Sequence, residues 1–317
     1  MSESIGSAEF LLGIEEYLKY QNKNDQATLV HGIAIALQKD SSALGFCKGF
    51  LQNLGGIIQD IDSRDLVNFA FDFSKAIDSE NFDTEAIKIY MSTLDKKNPK
   101  DKIFRGINTC IKNNIDISII NDAFSRSQMR SKFWLVDELV KINSNFDNVI
   151  ILAGWFGQLK AIYEKQCTYA KMRIVELDKT ACETSDYIFN IANLENYKVK
   201  SVNANINELT LHKNGYEWDV ENFKEGTKYS EKFLPDLIIN TSAEHMTEEW
   251  YNQIRFKQMD SDPIVAIQSN NLFDIPEHIN CVHSVDHMKK KFPMREILFE
   301  GELQLKGYKR VMLIGRP

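Results

Sequence analysis

What the sequence lacks removes several classes of protein. No apolar run approaches the ~18 residues that a membrane-spanning helix needs, and the opening MSESIGSAEFLLGIEEYLKY is acidic where a secretory leader would be basic. The five cysteines, Cys47, Cys110, Cys167, Cys182 and Cys281, form no CxxC pair and are odd in number, which suits reduced thiols better than a disulfide framework. Positive charge is in deficit: 38 Lys and Arg against 45 Asp and Glu leave a net −7, which argues against a general electrostatic grip on nucleic acid but not against a local patch. There is no GxGxxG, no HExxH and no cysteine–histidine zinc spacing. With 43% hydrophobic residues in 317, the chain can bury a sizeable core, so a disordered reading is excluded as well. The expectation is a soluble, cytoplasmic globular chain.

Proline divides the chain. Pro99 is the only one of the six before about residue 125, and in that part apolar residues recur at helical spacing. Phe10, Leu11, Ile14, Tyr17 and Leu18 form one stripe; Phe69, Phe71, Phe73 and Ile77 mark a second, less regular stretch. Polar breaks near 40–42, 60–63, 79–81 and 97–99 suit helix caps. Residues 1–124 are therefore expected to be an all-helical domain of about six helices, without a convincing repeat.

From about residue 148 the pattern becomes strand, turn, helix. NVIILAG (148–154), RIVELD (173–178), YKVKSVNAN (197–205), PDLIINTS (235–242) and DPIVAIQS (262–269) are short aliphatic runs with room for helices between them. That arrangement predicts an α/β fold with a mostly parallel, Rossmann-like sheet over 125–317. The tail, REILFEGELQLKGYKRVMLIG (295–315), reads as an antiparallel hairpin around Lys306-Gly307.

Ligands of open α/β sheets bind outside the carboxyl ends of the strands. The first strand ends in Ala153-Gly154-Trp155-Phe156-Gly157, a glycine turn ahead of a helix start. The second ends with Glu176 and Asp178; an acid at that offset can accept hydrogen bonds from both ribose hydroxyls, although Asp178 could equally cap the helix that begins at Lys179. Asn205, after the third strand, can pair with an adenine edge or form a turn. The fourth strand ends in Asn240-Thr241-Ser242-Ala243-Glu244-His245, where Glu244 or His245 could act as a base and Asn240 could orient a substrate; a capped helix start is the plain alternative. The fifth contributes Gln268-Ser269-Asn270-Asn271. His283 and His287 have the i,i+4 spacing of metal ligands, but nothing sharpens that pairing, and no metal is expected. Lys132, on a helix with Gln128, Ser131 and Leu135 at helical spacing, is either a solvated lysine or a partner for a carboxylate.

Taken together, SRSQMRSKFWLVDEL (125–139), AGWFGQL, VELD, INTSAEHM (239–246), IQSNN (267–271), EHINCV (277–282) and GELQLKGYKRVMLIG (301–315) resemble the class I S-adenosylmethionine-dependent methyltransferases. The likeness is strongest to a methyltransferase-like group carried by tailed phages and some bacteria, and covers roughly the last 190 residues. It implies S-adenosylmethionine as cofactor, with Gly154, Trp155 and Gly157 at its amino acid part and Lys132 near its carboxylate. It further implies Glu176, or its neighbour Asp178, at the ribose, Asn205 near the adenine, and Asn240, Glu244 and His245 facing the transferred methyl. The usual three-glycine turn is reduced here, and the Asn-Pro-Pro-Tyr motif of amine methylators is missing after the fourth strand.

The function expected is methyl transfer to a small-molecule acceptor. A nicotinamide-dependent oxidoreductase shares the fold and the ribose acid, and a non-catalytic binding or assembly protein is the third reading. Nucleic acid remains open through the basic run Lys289-Lys290-Lys291 with Arg295, and self-association through the helical domain is open as well.

Overall fold

The computed structural model describes Lys88, Met91, Ser92, Asp95 and Asn98, and residues 7–39, 100–113, 122–189, 198–222, 227–257 and 259–317. The stretch marked by Phe69, Phe71, Phe73 and Ile77 lies outside the described residues, as do the breaks at 40–42, 60–63 and 79–81 and most of the one at 97–99. The chain divides into two compact units, Met1–Phe133 with Tyr187–Asn190 and Trp134–Asp186 with Ile191–Pro317.

In the first unit, α1 (Ser7–Tyr20) packs on α2 (Asn24–Lys39). The expected stripe is the buried face of α1: Phe10, Leu11, Ile14, Tyr17 and Leu18 are all buried, together with Ala27, Val30, Ile33 and Ala34 of α2. Asn22 turns the chain between them in the left-handed region, φ 59°. The next helix described in full, α3 (Lys102–Lys112), starts at Asp101, whose Oδ1 accepts from the Ile103 and Phe104 amides at 3.0 and 3.3 Å. The Tyr17 hydroxyl donates to the same carboxylate at 3.0 Å, tying the cap to α1. Helix α4 (Arg126–Ile142) contains the point of division at Phe133 and Trp134.

The second unit is built on seven strands: β1 (Asn145–Leu152), β2 (Thr168–Glu176), β3 (Val199–Asn203), β7 (Leu237–Asn240), β8 (Ile264–Asn270), β9 (Glu296–Gln304) and β10 (Lys309–Arg316). Their order is β3-β2-β1-β7-β8-β10-β9. The pairs β3–β2, β2–β1, β1–β7 and β7–β8 are parallel, while β10 runs antiparallel to both neighbours. All five aliphatic runs are thus parallel strands, as expected. The hairpin turns at Gly307, whose φ of 81° is open to glycine at no steric cost. Its second strand fills the gap between β8 and its first. Central β8 is buried throughout, while edge strand β9 mixes exposed and half-buried positions, which is the burial difference expected between centre and edge.

Four of the connections carry helices. Helices α5 (Gln158–Tyr163) and α6 (Lys179–Phe189) follow β1 and β2; α7 (Glu249–Phe256) and α8 (Val285–Lys291) follow β7 and β8. The connection from β3 to β7 departs from the expectation. It is a three-stranded antiparallel sheet, β4 (Thr210–His212), β5 (Gly215–Asn222) and β6 (Thr227–Phe233). Its Leu211, Tyr216, Trp218 and Phe233 join the core formed by Val175, Val202, Trp250 and Tyr251. The β4–β5 turn spans Lys213 and Asn214, and an added Cβ on Gly215 would lie 2.1 Å from the Phe233 carbonyl oxygen, so this turn admits little but glycine. The Asn214-Gly215 pair is a hairpin signal that the aliphatic pattern alone passes over. The insert is also anchored by charge: buried Arg173 donates through Nε to Glu231 Oε1 at 2.8 Å, and Lys200 reaches the other oxygen at 3.3 Å.

Candidate functional site

The order of the sheet reverses at β1, whose neighbours β2 and β7 are reached by chain running in opposite directions, so a crevice is expected beyond the ends of these three strands. Register places the expected residues along that edge: Leu152 lies between Val175 and Asn240, and Glu176 opposite Asn203.

The turn after β1 is a strained one. Ala153 and Trp155 have φ of 49° and 48°, a region where non-glycine residues cost about 1 kcal/mol or more each. Hydrogen bonds offset this: Gly154 N donates to Val175 O at 3.1 Å, Gly157 N to Gly154 O at 2.8 Å, and Trp155 N to Glu176 Oε2 at 2.8 Å. Gly154 itself has an unremarkable backbone and is required for space, since a Cβ there would stand 2.3 Å from Ile174 Cγ2. Gly157, at φ 71°, opens α5. We expect Gly154→Ala to destabilise the fold by about 1–3 kcal/mol through overpacking against β2. Urea unfolding checks this, and an unchanged midpoint would show that the turn relaxes freely.

The two acids of β2 have separate occupations. Glu176 is half-buried and accepts from the Trp155 and Asp178 amides, at 2.8 and 3.0 Å. Asp178 is exposed and accepts from the Thr180 and Ala181 amides at 2.7 and 3.3 Å, which caps α6. Between them Leu177 is 68% exposed, a bare apolar side chain on the strand edge. Asn205 is committed to a turn: its Oδ1 accepts from Asn207 N at 3.1 Å and its Nδ2 donates to Glu208 at 3.0 Å.

After β7 the chain makes a single 3-10 turn, Ala243–His245, in place of a helix start, and α7 begins only at Glu249. Most of this segment is packed inward. Asn240, Thr241, Ala243 and Glu244 are buried, and His245 is exposed. Asn240 Oδ1 holds the turn by accepting from Ser242 N at 2.9 Å. Glu244 Oε1 accepts from Arg310 Nη1 and from Asn270 Nδ2, both at 2.8 Å; Arg310 Nη1 also donates to Thr241 O at 3.0 Å. Burial works against the charged guanidinium, yet Glu244 and Tyr308 keep the Arg310 pKa above its ordinary value.

The loop after β8 is drawn onto this turn. Asn280 N donates to Glu244 O at 2.9 Å and Asn280 Nδ2 to Met246 O at 2.9 Å, while Ser269 Oγ donates to Asn280 O at 3.0 Å. His278 thereby packs edge-on against His245, ring centroids 4.6 Å apart. His283 and His287 stack on each other, 5.3 Å between centroids, and Phe273 covers His283.

The edge of the sheet thus brings together Gly154, Trp155, Gly157, Glu176, Asp178 and Asn240. Lys132 belongs to the first unit, where it is buried and Nζ donates to Gln128 Oε1 at 2.8 Å. Sequence reasoning passed over Arg310 and the grouping of His278 with Glu244 and His245. For Arg310 the available signal was a lone cation heading the apolar run VMLIG.

No family model matches the chain, and no curated protein does. Several solved structures that resemble it are S-adenosylmethionine-dependent methyltransferases, at low identity and partial coverage, and a spermidine synthase from Thermotoga maritima resembles it as well. The N-methyltransferase NodS from Bradyrhizobium japonicum WM9 is 8% identical, with a TM-score of 0.42, over 59% of this chain and 94% of its own. The magnesium protoporphyrin IX methyltransferase from Synechocystis PCC 6803, solved with S-adenosylmethionine bound, is 10% identical with a TM-score of 0.43, over 71% and 96%. A methyltransferase from Aquifex aeolicus is 13% identical with a TM-score of 0.39, over 58% and 92%.

Proposed function

We propose that this chain is an S-adenosylmethionine-dependent methyltransferase acting on a small-molecule acceptor, with the cofactor lying across the ends of β1, β2 and β7. The observation that carries the reading is the bond from Trp155 N to Glu176, which makes the glycine turn and the ribose acid one structure at the switch point of the sheet. Glu176 keeps lone pairs beyond those used by the two amides, so it can accept from the ribose hydroxyls. Exposed Leu177 offers an apolar surface for the adenine, and Asn205 lies beyond the neighbouring strand end. The segment from Gly154 to Gly157 would meet the amino acid part, and Asn240 would stand on the side of the transferred methyl.

The bound sulfonium would supply the activated methyl, so the protein's contribution is alignment and exclusion of water. Glu244, ion-paired inside the fold, does not serve as a free base; His245 is reachable from solvent.

A small acceptor is favoured over nucleic acid because much of the basic run is neutralised locally. Lys289 pairs with Asp286 and Glu300, both at 3.1 Å, Lys291 with Glu248 at 3.3 Å, and Arg295 with Asp262. Among the described residues no helix is long and apolar enough to cross a membrane. The likeness to the phage-borne group rests on the sequence segments alone.

Calorimetry on the purified chain with S-adenosylmethionine, S-adenosylhomocysteine and NAD is the direct test. Binding of either sulfur compound more tightly than NAD is expected. A response to NAD with none to millimolar S-adenosylmethionine would replace this reading by the oxidoreductase one, and silence toward all three by the non-catalytic one.

A further inference from the structure

The turn after β7 and the loop after β8 bring together the carboxylate of Glu244 and the imidazoles of His245 and His278, with one candidate ligand atom from each lying within 4.8 Å of the others. We propose that these three residues form a binding site for a divalent first-row transition metal ion, a function separate from the cofactor site.

Three observations bear on it. The first is the ligand set. Two imidazoles and one carboxylate suit zinc, manganese, iron or cobalt better than magnesium or calcium, which prefer oxygen alone. Three protein ligands also leave positions open for a water or an oxygen-bearing ligand.

The second is an unused atom. Glu244 is 97% buried, at 3% relative exposure, and its Oε1 is occupied by Arg310 and Asn270. Its Oε2 is buried with no hydrogen-bond partner among the described residues. A carboxylate oxygen shut away from water ordinarily has a donor or a cation. The two imidazoles lie within 4.8 Å of an oxygen of this carboxylate. Arg310 and Asn270 fix the carboxylate through one oxygen, which leaves the other as the ligand, the arrangement by which outer partners orient metal-binding side chains.

The third is the ring orientation of His278. Its Nδ1 lies 3.2 Å from the Leu272 carbonyl oxygen, which can only accept, so Nδ1 carries the hydrogen. With its hydrogen on Nδ1, the ring can present the Nε2 lone pair to a metal.

Two ligands each about 2.1 Å from an ion stand at most about 4.2 Å apart, so the group must contract slightly on binding. The exposed side chain of His245 is free to supply that adjustment, as rotation on the surface displaces no core atom. His283 and His287, the pair suggested by spacing, lie outside this grouping; they stack, and His283 N donates to His287 Nδ1 at 3.2 Å.

The test uses the full chain without a histidine tag, stripped with chelator and titrated in the absence of S-adenosylmethionine, so that its outcome is independent of the methyltransferase reading. Calorimetry and thermal unfolding with zinc, manganese and magnesium, plus the visible absorption of bound cobalt, give the readouts. One equivalent of zinc or manganese is expected to bind and to raise the unfolding temperature, with magnesium much weaker. His278→Ala and His245→Ala should each lower zinc affinity by at least about tenfold, no less than the loss of an outer partner does, whereas His287→Ala should leave it unchanged. Both ligand substitutions lie off the core, and far-ultraviolet circular dichroism confirms that the variants fold. No binding of zinc, manganese or cobalt to the wild-type chain overturns the proposal. So does zinc binding that survives His245→Ala and His278→Ala, or that is lost in His287→Ala.

Discussion

Replacing Glu176 by alanine is expected to weaken S-adenosylmethionine binding about ten- to hundredfold, while Asp178→Ala changes it little. A hydrogen bond to a charged acceptor contributes about 1.5–3 kcal/mol, and each 1.4 kcal/mol is tenfold in affinity. Glu176 acts twice in this account, since the same carboxylate holds the Trp155 amide and with it the strained turn. Asp178 instead caps α6, so its loss should appear as about 1 kcal/mol of stability. Calorimetry and urea unfolding on the two variants separate these effects. A larger loss of affinity in Asp178→Ala would move the ribose contact two residues along the chain.

The largest effect on stability is expected at Arg310. Arg310 and Glu244 are 2% and 3% exposed, and removing one member of such a buried pair typically costs about 3–5 kcal/mol because the other charge is left without compensation. Arg310→Met should therefore lower the free energy of unfolding by about that amount. Adding Glu244→Gln to it should restore much of the loss, since the amide is neutral and Asn270 remains as a hydrogen-bond partner. A loss under about 1 kcal/mol in Arg310→Met would mean that water reaches the Glu244 carboxylate, contrary to the burial described.

Much of the fold was legible because it is written in local patterns. Val149 to Leu152, Leu237 to Ile239 and Ile264 to Ile267 are aliphatic runs of strand length, and each is a buried parallel strand. The stripe from Phe10 to Leu18 has helical spacing and forms the buried face of α1. The β4–β6 insert was missed because its strands mix charged and apolar residues over short spans, leaving Asn214-Gly215 as the main cue.

At the site, side-chain roles were harder to read than positions. Glu244 sits where the sequence places it, at the end of β7, yet alternation and spacing do not reveal that it faces inward, because the 3-10 turn changes the direction of each side chain. Glu176 was the preferred acid with Asp178 as its alternative, and the hydrogen bonds give Asp178 to the α6 amides and Glu176 to Trp155.

By itself the sequence determined the α/β class, the closing hairpin and the strand ends at which polar and acidic residues collect, since strand propensity, turn chemistry and burial period act over a few neighbouring residues. The tertiary structure alone decided the pairing of Glu244 with Arg310 and the meeting of His245 with His278. Charge compensation and metal ligation depend on separations of a few ångströms in space, and it is the register of β10 on β8 and the folding back of the loop after β8 that set them.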